Sequence, residues 1–290
     1  MKRDIEKTQT TANSLAMIYS ILPSLSNAEQ KVAQAVLDNP SNTVYSSVTD
    51  LAEAAEVGET TVIRFCRKLG YRGFQEFKMA IAQDLVSPSQ QVYGKIEEDD
   101  SIDVVCRKMT MFNRQTLDDT LSLLQESELQ KATDALIAGK RHFFFGVGSS
   151  GITAADAQYR FMRLGFDSHA ASDGHIIAMN CAMTTESDVI LGISTSGSTK
   201  DLVDALRIAK ENGAYVICLT GHARSPITSY ANAILLAASK ETPLQGGAFA
   251  SKLAQIHVLD ILSTIVSLKQ RTSTFEALNK SAKSVLDKMY

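Results

Sequence analysis

The strongest constraint on this chain is a change of periodicity near residue 140. Before it, apolar residues recur every three or four positions. Between 101 and 138 they are Val104, Val105, Met109, Phe112, Leu117, Leu121, Leu124 and Leu129, the spacing of a helix face. After it, short apolar runs alternate with helical stretches. His142–Val147, Val189–Ser194, Tyr215–Thr220 and Ala233–Ala237 read as strands, each bounded by Gly, Ser or Asp. That alternation predicts a parallel sheet covered by helices. Ala248–Leu268 reads as a long helix and 274–289 as another.

The chain therefore divides into a helical half and an α/β half, and its 290 residues suit two domains at roughly 100–200 residues each. Residues 1–85 read as a domain of short helices. Residues 86–128 read as a linker with connecting helices, opening on the polar, acidic stretch 87–100. Residues 129–270 form the α/β domain and 271–290 a C-terminal helix. A composition of 44% hydrophobic and 21% charged residues is that of a soluble globular protein. The net charge of −3 advertises no polyanionic partner, so local charge must make any such case.

Cys66, Cys106, Cys181 and Cys218 never form a CxxC pair, which offers neither a zinc site nor a disulfide framework. They read as core or neutral cysteines of a reducing compartment. Met1-Lys2-Arg3-Asp4 runs into polar residues with no signal-peptide core. No apolar run approaches the roughly 20 residues of a membrane span. A cytoplasmic protein with no metal and no membrane partner is expected.

In the helical half, Ser26 caps a helix and Glu29 closes a capping box. That helix runs to about Asp38 and ends before Pro40. A second runs about Val48–Ala55, with Leu51 and Ala55 inward and the small Ala52 allowing close approach. A turn at Glu56-Val57-Gly58 leads into a third, about Glu59–Leu69, with Gly70 at its C-terminus. On this third helix Val62, Phe65 and Leu69 share one face. Thr60, Arg64, Arg67 and Lys68 cluster opposite, with Thr61 at the edge. Arginines suit phosphates and guanine edges, and short hydroxyls suit bases or backbone. Arg64, Arg67, Lys68, Arg72 and Lys78 lie with a single acid, Glu76, in a half that is otherwise net acidic. Positive charge is thus concentrated where DNA would lie. A solvated amphipathic helix in an ordinary bundle would show the same charges; the helix-turn-helix spacing favours DNA.

Thr61 through Phe74, followed by Glu76-Phe77-Lys78, resembles the helix-turn-helix signature of the RpiR/MurR family of bacterial regulators. Glu56 stands where a turn glycine is usual, and Gly58 where a serine cap is usual; glycine is an acceptable cap. The resemblance implies an all-α DNA-binding domain; the cationic face and the charge cluster give Thr60, Thr61, Arg64, Arg67, Lys68 and Arg72 as the DNA-facing residues.

In the α/β half, Gly146-Val147-Gly148-Ser149-Ser150-Gly151 follows an apolar strand and precedes a helix. Glycines there let the backbone approach an anion, and the helix N-terminus favours negative charge. The segment satisfies GxGxxG, and Asp173 lies 22 residues past Gly151, so a dinucleotide cofactor is one reading. Ser194-Thr195-Ser196-Gly197-Ser198-Thr199 is a second such loop, between the strand Val189–Ile193 and the helix Asp201–Asn212. Its five hydroxyls can bond several phosphate oxygens at once. A nicotinamide site does not need this second nest, whereas a sugar phosphomonoester does; no cofactor is expected. Ordinary hydroxyl-capped helices are the plainer reading of each loop.

Ser194–Thr199 resembles the Ser-x-Ser-Gly-x-Thr motif of SIS (sugar isomerase) domains. The likeness, over about 130–268, implies a five-stranded parallel sheet flanked by helices, usually dimeric. It places Ser150, Ser194, Thr195, Ser196 and Thr199 on the phosphate, with Ser149 nearby. Enzymes of this type often carry Glu beside the loop threonine; here Lys200-Asp201 follows. Glu241 is either a sugar-hydroxyl acceptor or an exposed loop acid. His257 is a core or interface histidine or a ligand contact, and His175 lies after Asp173. Two functions remain in view. One is a DNA-binding regulator, a repressor, whose operator affinity is controlled by a phosphorylated sugar or amino sugar and which acts as a homodimer or higher oligomer. The other is a sugar-phosphate isomerase or etherase with an accessory helical domain. An isomerase needs a base at the sugar carbon; Glu241, His175 and His257 are the candidates, and none sits in a recognisable isomerase motif. The clustered cations favour the non-enzymatic regulator.

Overall fold

A computed structural model describes residues 14–85, 96–239 and 250–286. They divide into two compact units, 14–85 and 96–286. Glu241 falls outside the described residues.

The first unit is all helix: α1 Ser14–Ile21, α2 Asn27–Asp38, α3 Pro40–Tyr45, α4 Val48–Ala54, α5 Glu59–Lys68 and α6 Phe74–Leu85. The capping box at the start of α2 is present, with Glu29 accepting from the Ser26 backbone N–H at 2.9 Å. Pro40 does end α2, but it also starts α3. Its missing N–H costs nothing at a first helical position, and Asn39 caps the turn by accepting from the Asn42 N–H at 3.0 Å. The core collects Val32, Val36, Leu51, Val62, Phe65, Phe77 and Ile81, all buried. Phe65 of α5 meets Phe77 of α6 edge-on, with centroids 5.7 Å apart. Val62, Phe65 and Leu69 are buried, as the helical periodicity required.

The second unit opens with α7 Ile102–Leu123 and α8 Glu126–Ala138. The α/β alternation follows: β1 Arg141–Gly146, α9 Ser149–Arg163, β2 Ser168–Ala171, α10 Gly174–Ala182, β3 Asp188–Ser194, α11 Lys200–Glu211, β4 Tyr215–Thr220 and β5 Ala233–Leu236. Helices α12 Ala250–Lys269 and α13 Arg271–Lys283 close the chain. The five strands are parallel in the order β2-β1-β3-β4-β5. Alternate residues feed two cores. Phe144, Leu191, Ile193 and Leu219 pack on one face with residues of α8, α9 and α12. Phe143, Phe145, Ile190 and Cys218 pack on the other with residues of α10 and α11.

The two helices before the sheet also cover its β5 edge. Glu128 on α8 accepts from the Ile234 N–H at 2.8 Å, and Thr120 on α7 accepts from the Ala238 N–H at 3.1 Å. One backbone donor of the edge strand and one just beyond it are thereby satisfied. Helix α12 is long and apolar enough to cross a membrane by length and composition. Its apolar side, Ala254, Val258, Leu259, Leu262 and Val266, is instead buried in the sheet core. Burial pushes the thiols of Cys66, Cys181 and Cys218 up to about 12, while Cys106 is exposed.

Candidate functional site

Each unit carries one candidate surface. In the helical unit, Ser47 caps α4: its hydroxyl accepts from the Asp50 N–H at 3.0 Å, and Asp50 accepts from the Ser47 N–H at 2.9 Å. Between α4 and α5, Glu56 adopts φ +52°, the left-handed conformation, which explains why glycine suits this position. The Val57 N–H then donates to Ala52 O at 2.9 Å and Gly58 becomes the N-cap of α5.

On α5, Thr60, Arg64, Arg67 and Lys68 are exposed and Thr61 is half-buried; Arg72 is exposed just beyond. The cations are not equivalent. Arg64 Nε donates to Glu29 Oε1 at 3.2 Å, and Lys68 Nζ donates to Glu29 Oε2 at 3.2 Å and to Ser24 O at 2.9 Å. Glu29 is buried. Its carboxyl is held down at about 2, by the Ser26 backbone N–H first, then the Ser26 hydroxyl, then Lys68. Arg67 and Arg72 make no ion pair among the described residues.

One of the five cations counted from sequence is elsewhere. Lys78 does not join this surface: it is buried, donates to Ser46 O at 2.7 Å, and lies 5.5 Å over the Phe74 ring. Desolvation pulls its ammonium down to about 8, partly opposed by Asp50. The long stem lets α6 reach the carbonyl that precedes α4, which no local charge count reveals.

In the α/β unit the two hydroxyl loops follow β1 and β3. These strands pair directly, with Gly146 opposite Ile193. In a 2-1-3-4-5 sheet the chain reverses direction between these two strands, and the crevice beyond their carboxyl ends is the usual ligand position. Ser149 and Ser150 are the first two residues of α9; Ser149 is half-buried and Ser150 buried. Ser194 is buried, and Thr195, Ser196, Ser198 and Thr199 are half-buried. Ser194 Oγ and Thr199 Oγ1 bond at 3.1 Å, tying the two ends of the second loop.

Each loop holds a glycine where a side chain would not fit. A Cβ on Gly151 would sit 2.6 Å from Ser172 Cβ and 2.9 Å from Gly146 O. Gly197 has φ +63°, and a Cβ there would fall 2.1 Å from Ser225 Oγ. The segment after β4 braces the same loop: Gly221 N–H donates to Thr195 O at 3.0 Å and Ile227 N–H to Gly197 O at 2.9 Å. The start of α10 joins them, since a Cβ on Gly174 would meet Asp201 Oδ2 at 2.9 Å. The N-termini of α9, α10 and α11 therefore gather at one end of the sheet, a fixed partial positive charge. Asp173 is engaged as the cap of α10, accepting from the His175 and Ile176 N–H groups at 3.0 Å each. His175 is exposed at that helix start, and His257 is half-buried on α12.

Sequence reasoning missed three residues that the tertiary fold brings to the loops. Thr153 sits one turn into α9, and Lys252 and Gln255 sit on the first turns of α12. Lys252 Nζ donates to Ser149 O, and Gln255 Nε2 donates to Thr195 Oγ1 at 2.9 Å. Neither carries a local signal, because α12 lies more than fifty residues beyond the second loop.

Comparison with known proteins agrees with both halves. Residues 12–88 match the helix-turn-helix domain of the rpiR family, and residues 135–265 match the SIS domain. The transcriptional regulator HexR of Escherichia coli K12 is 37% identical over 259 residues, 89% of each chain. RpiR of the same organism is 30% identical over 80% of this chain and 78% of its own. The structure of the Vibrio vulnificus NanR protein complexed with ManNAc-6P is similar with a TM-score of 0.85 at 30% identity, over 96% of this chain and 99% of that one. The chain belongs to the rpiR family of helix-turn-helix transcriptional regulators, a helical DNA-binding unit followed by a SIS domain with a five-stranded parallel sheet.

Proposed function

We propose that this regulator is a repressor whose operator affinity is set by a phosphorylated sugar or amino sugar bound in the SIS domain. The observation that carries the reading is the direct pairing of β1 with β3, the strands that lead into Ser149-Ser150 and into Ser194–Thr199. A phosphomonoester has three terminal oxygens and nearly two charges, and it suits a cleft with several hydroxyl donors and converging helix N-termini. The ManNAc-6P complex of the NanR relative supports this ligand class. Lys252 adds a cation beside the first loop, and Glu241 remains our candidate for the sugar hydroxyls.

On the DNA side, Thr60, Thr61, Arg64, Arg67, Lys68 and Arg72 would face the operator. Arg67 and Arg72, with no ion pair among the described residues, are the freest to reach phosphates or base edges. Arg64 and Lys68 approach as cations already oriented by Glu29. A homodimer would set two copies of α5 in successive major grooves, about 34–36 Å apart. The effector would act by binding the DNA-competent and DNA-incompetent states with different affinity.

The test is a thermal-shift screen of the purified protein over hexose, pentose and N-acetylamino-sugar phosphates, with operator binding then followed by fluorescence anisotropy. The expected result is stabilisation by one class and an operator affinity that falls when it is added. Sustained turnover of a sugar phosphate would favour an isomerase instead. Absence of both ligand stabilisation and duplex preference would end the proposal.

A further inference from the structure

Four polar side chains are joined in sequence by hydrogen bonds, ending on the second loop. Lys252 Nζ donates to Thr153 Oγ1 at 3.4 Å, Thr153 Oγ1 to Gln255 Oε1 at 3.0 Å, and Gln255 Nε2 to Thr195 Oγ1 at 2.9 Å. Thr153 and Gln255 are buried, 1% and 3% exposed. Thr195 is half-buried in the loop after β3. The chain thus joins the first turn of α9, the start of α12 and the second hydroxyl loop.

Its direction is fixed from the cationic end. An ammonium has three donors and no acceptor, so Thr153 Oγ1 accepts from Lys252 and must donate elsewhere. A helical threonine ordinarily bonds the carbonyl one turn back. Here that carbonyl is Ser149 O, already engaged by Lys252, and the Thr153 proton goes to Gln255 Oε1. The glutamine amide then presents its NH2 to Thr195, whose oxygen becomes an acceptor and whose own proton is left to point away from Gln255. Each link polarises the next in a low-dielectric interior.

We propose that Thr153 and Gln255 are positioning residues that hold the Thr195 hydroxyl as a donor toward the bound phosphate. This deepens, and rests on, the reading of the two loops as a phosphomonoester site. A hydroxyl free to rotate must be oriented when an anion arrives; one already accepting from Gln255 is aligned beforehand. The relay also discriminates by chemistry, because a donor-only array favours an oxyanion over a ligand group that itself donates.

The experiment measures binding of inorganic phosphate, glucose 6-phosphate and ManNAc-6P to the full-length protein by calorimetry, with thermal unfolding as a check on folding. Thr153→Val keeps the shape but removes the link, and its affinity should fall about tenfold, the size of one weakened charge-assisted hydrogen bond. Thr153→Ser restores the hydroxyl and should bind close to wild type. In a double-mutant cycle, Thr153→Val combined with Thr195→Val should bind no more weakly than Thr195→Val alone, since both break one chain. A merely structural role for Thr153 would give losses that add. Affinity within twofold of wild type for Thr153→Val, or additive losses, overturns the relay while leaving the phosphate site standing. Failure of the wild-type protein to bind any of the three probes removes the site itself, and the relay with it.

Discussion

Glu29 of α2 bonds Arg64 of α5 at 3.2 Å, a carboxylate 6% exposed beneath a guanidinium 60% exposed. The same carboxylate takes Lys68 on its other oxygen and caps its own helix through Ser26. The start of α2 and the cationic face of α5 are thereby one hydrogen-bonded unit. Among the described residues Arg64 is engaged through Nε alone, which leaves its terminal nitrogens for bidentate contact with a phosphate or guanine.

Arg64→Ala should weaken operator binding by at least tenfold, the range of a lost arginine contact, with sugar-phosphate affinity unchanged. Fluorescence anisotropy at fixed salt, paired with calorimetry of the effector, measures both. An unaltered operator affinity would move the DNA-facing surface away from α5.

The helical unit should lose stability in acid through Glu29. Its carboxyl sits at about 2 in the folded protein against an ordinary 4.5. For a depressed acid, the stabilisation is complete above the unfolded value and lost as pH falls from there toward the folded one. Glu29→Gln should cost on the order of 1–2 kcal/mol at neutral pH, as loss of a cap does, and should flatten the pH dependence between about 5 and 2. Denaturant unfolding at several pH values tests it; an identical acid slope in the variant would exclude Glu29 as the source.

Lys78 should titrate near 8. Desolvation disfavours its charged form in the folded protein, lowering it from 10.5 to about 8, so the unfolded chain holds the proton longer. Folding stability therefore rises as pH climbs from about 8 to 10.5. In a lysine-labelled sample, NMR should show one signal with this low midpoint, absent in Lys78→Ala. A spectrum in which every lysine titrates above 10 would contradict the buried placement.

Glu56→Gly should stabilise the helical unit by about 1 kcal/mol, because a left-handed conformation strains any residue with a Cβ. The variant loses the Lys31–Glu56 pair at 2.9 Å, but both side chains are largely exposed and such pairs contribute little. Differential scanning calorimetry should show a higher transition for this unit; a lower one would mean that the ion pair outweighs the backbone strain.

Ser196→Ala should abolish the response to effector while leaving operator affinity intact. The substitution removes the oxygen that accepts from the Ser198 N–H at 3.3 Å and one hydroxyl of the proposed phosphate cradle. Operator titrations with and without sugar phosphate read the result. A full response in the variant would argue against the second loop as the anion site.

What the sequence alone determined was whatever depends on neighbours within a turn or a strand. The buried stripe Val62-Phe65-Leu69, the cationic face opposite, the capping box at Ser26 and the two hydroxyl loops all follow from spacing over a few residues, and all are where local periodicity put them. Four of the five strands were legible for the same reason. The fifth, Ser168–Ala171, is a short, half-exposed edge strand with no apolar run to mark it; only the family resemblance supplied its existence. Tertiary structure decided everything that depends on which distant segments meet. It paired β1 with β3 and so set the two loop-bearing strands side by side. It carried Lys78 inward to a carbonyl 32 residues away, set Glu29 under Arg64 across 35 residues, and brought Gln255 to Thr195 across 60. Periodicity reports which face of an element is buried. It does not report what that face is buried against, because long-range pairing is selected by the packing of the whole core.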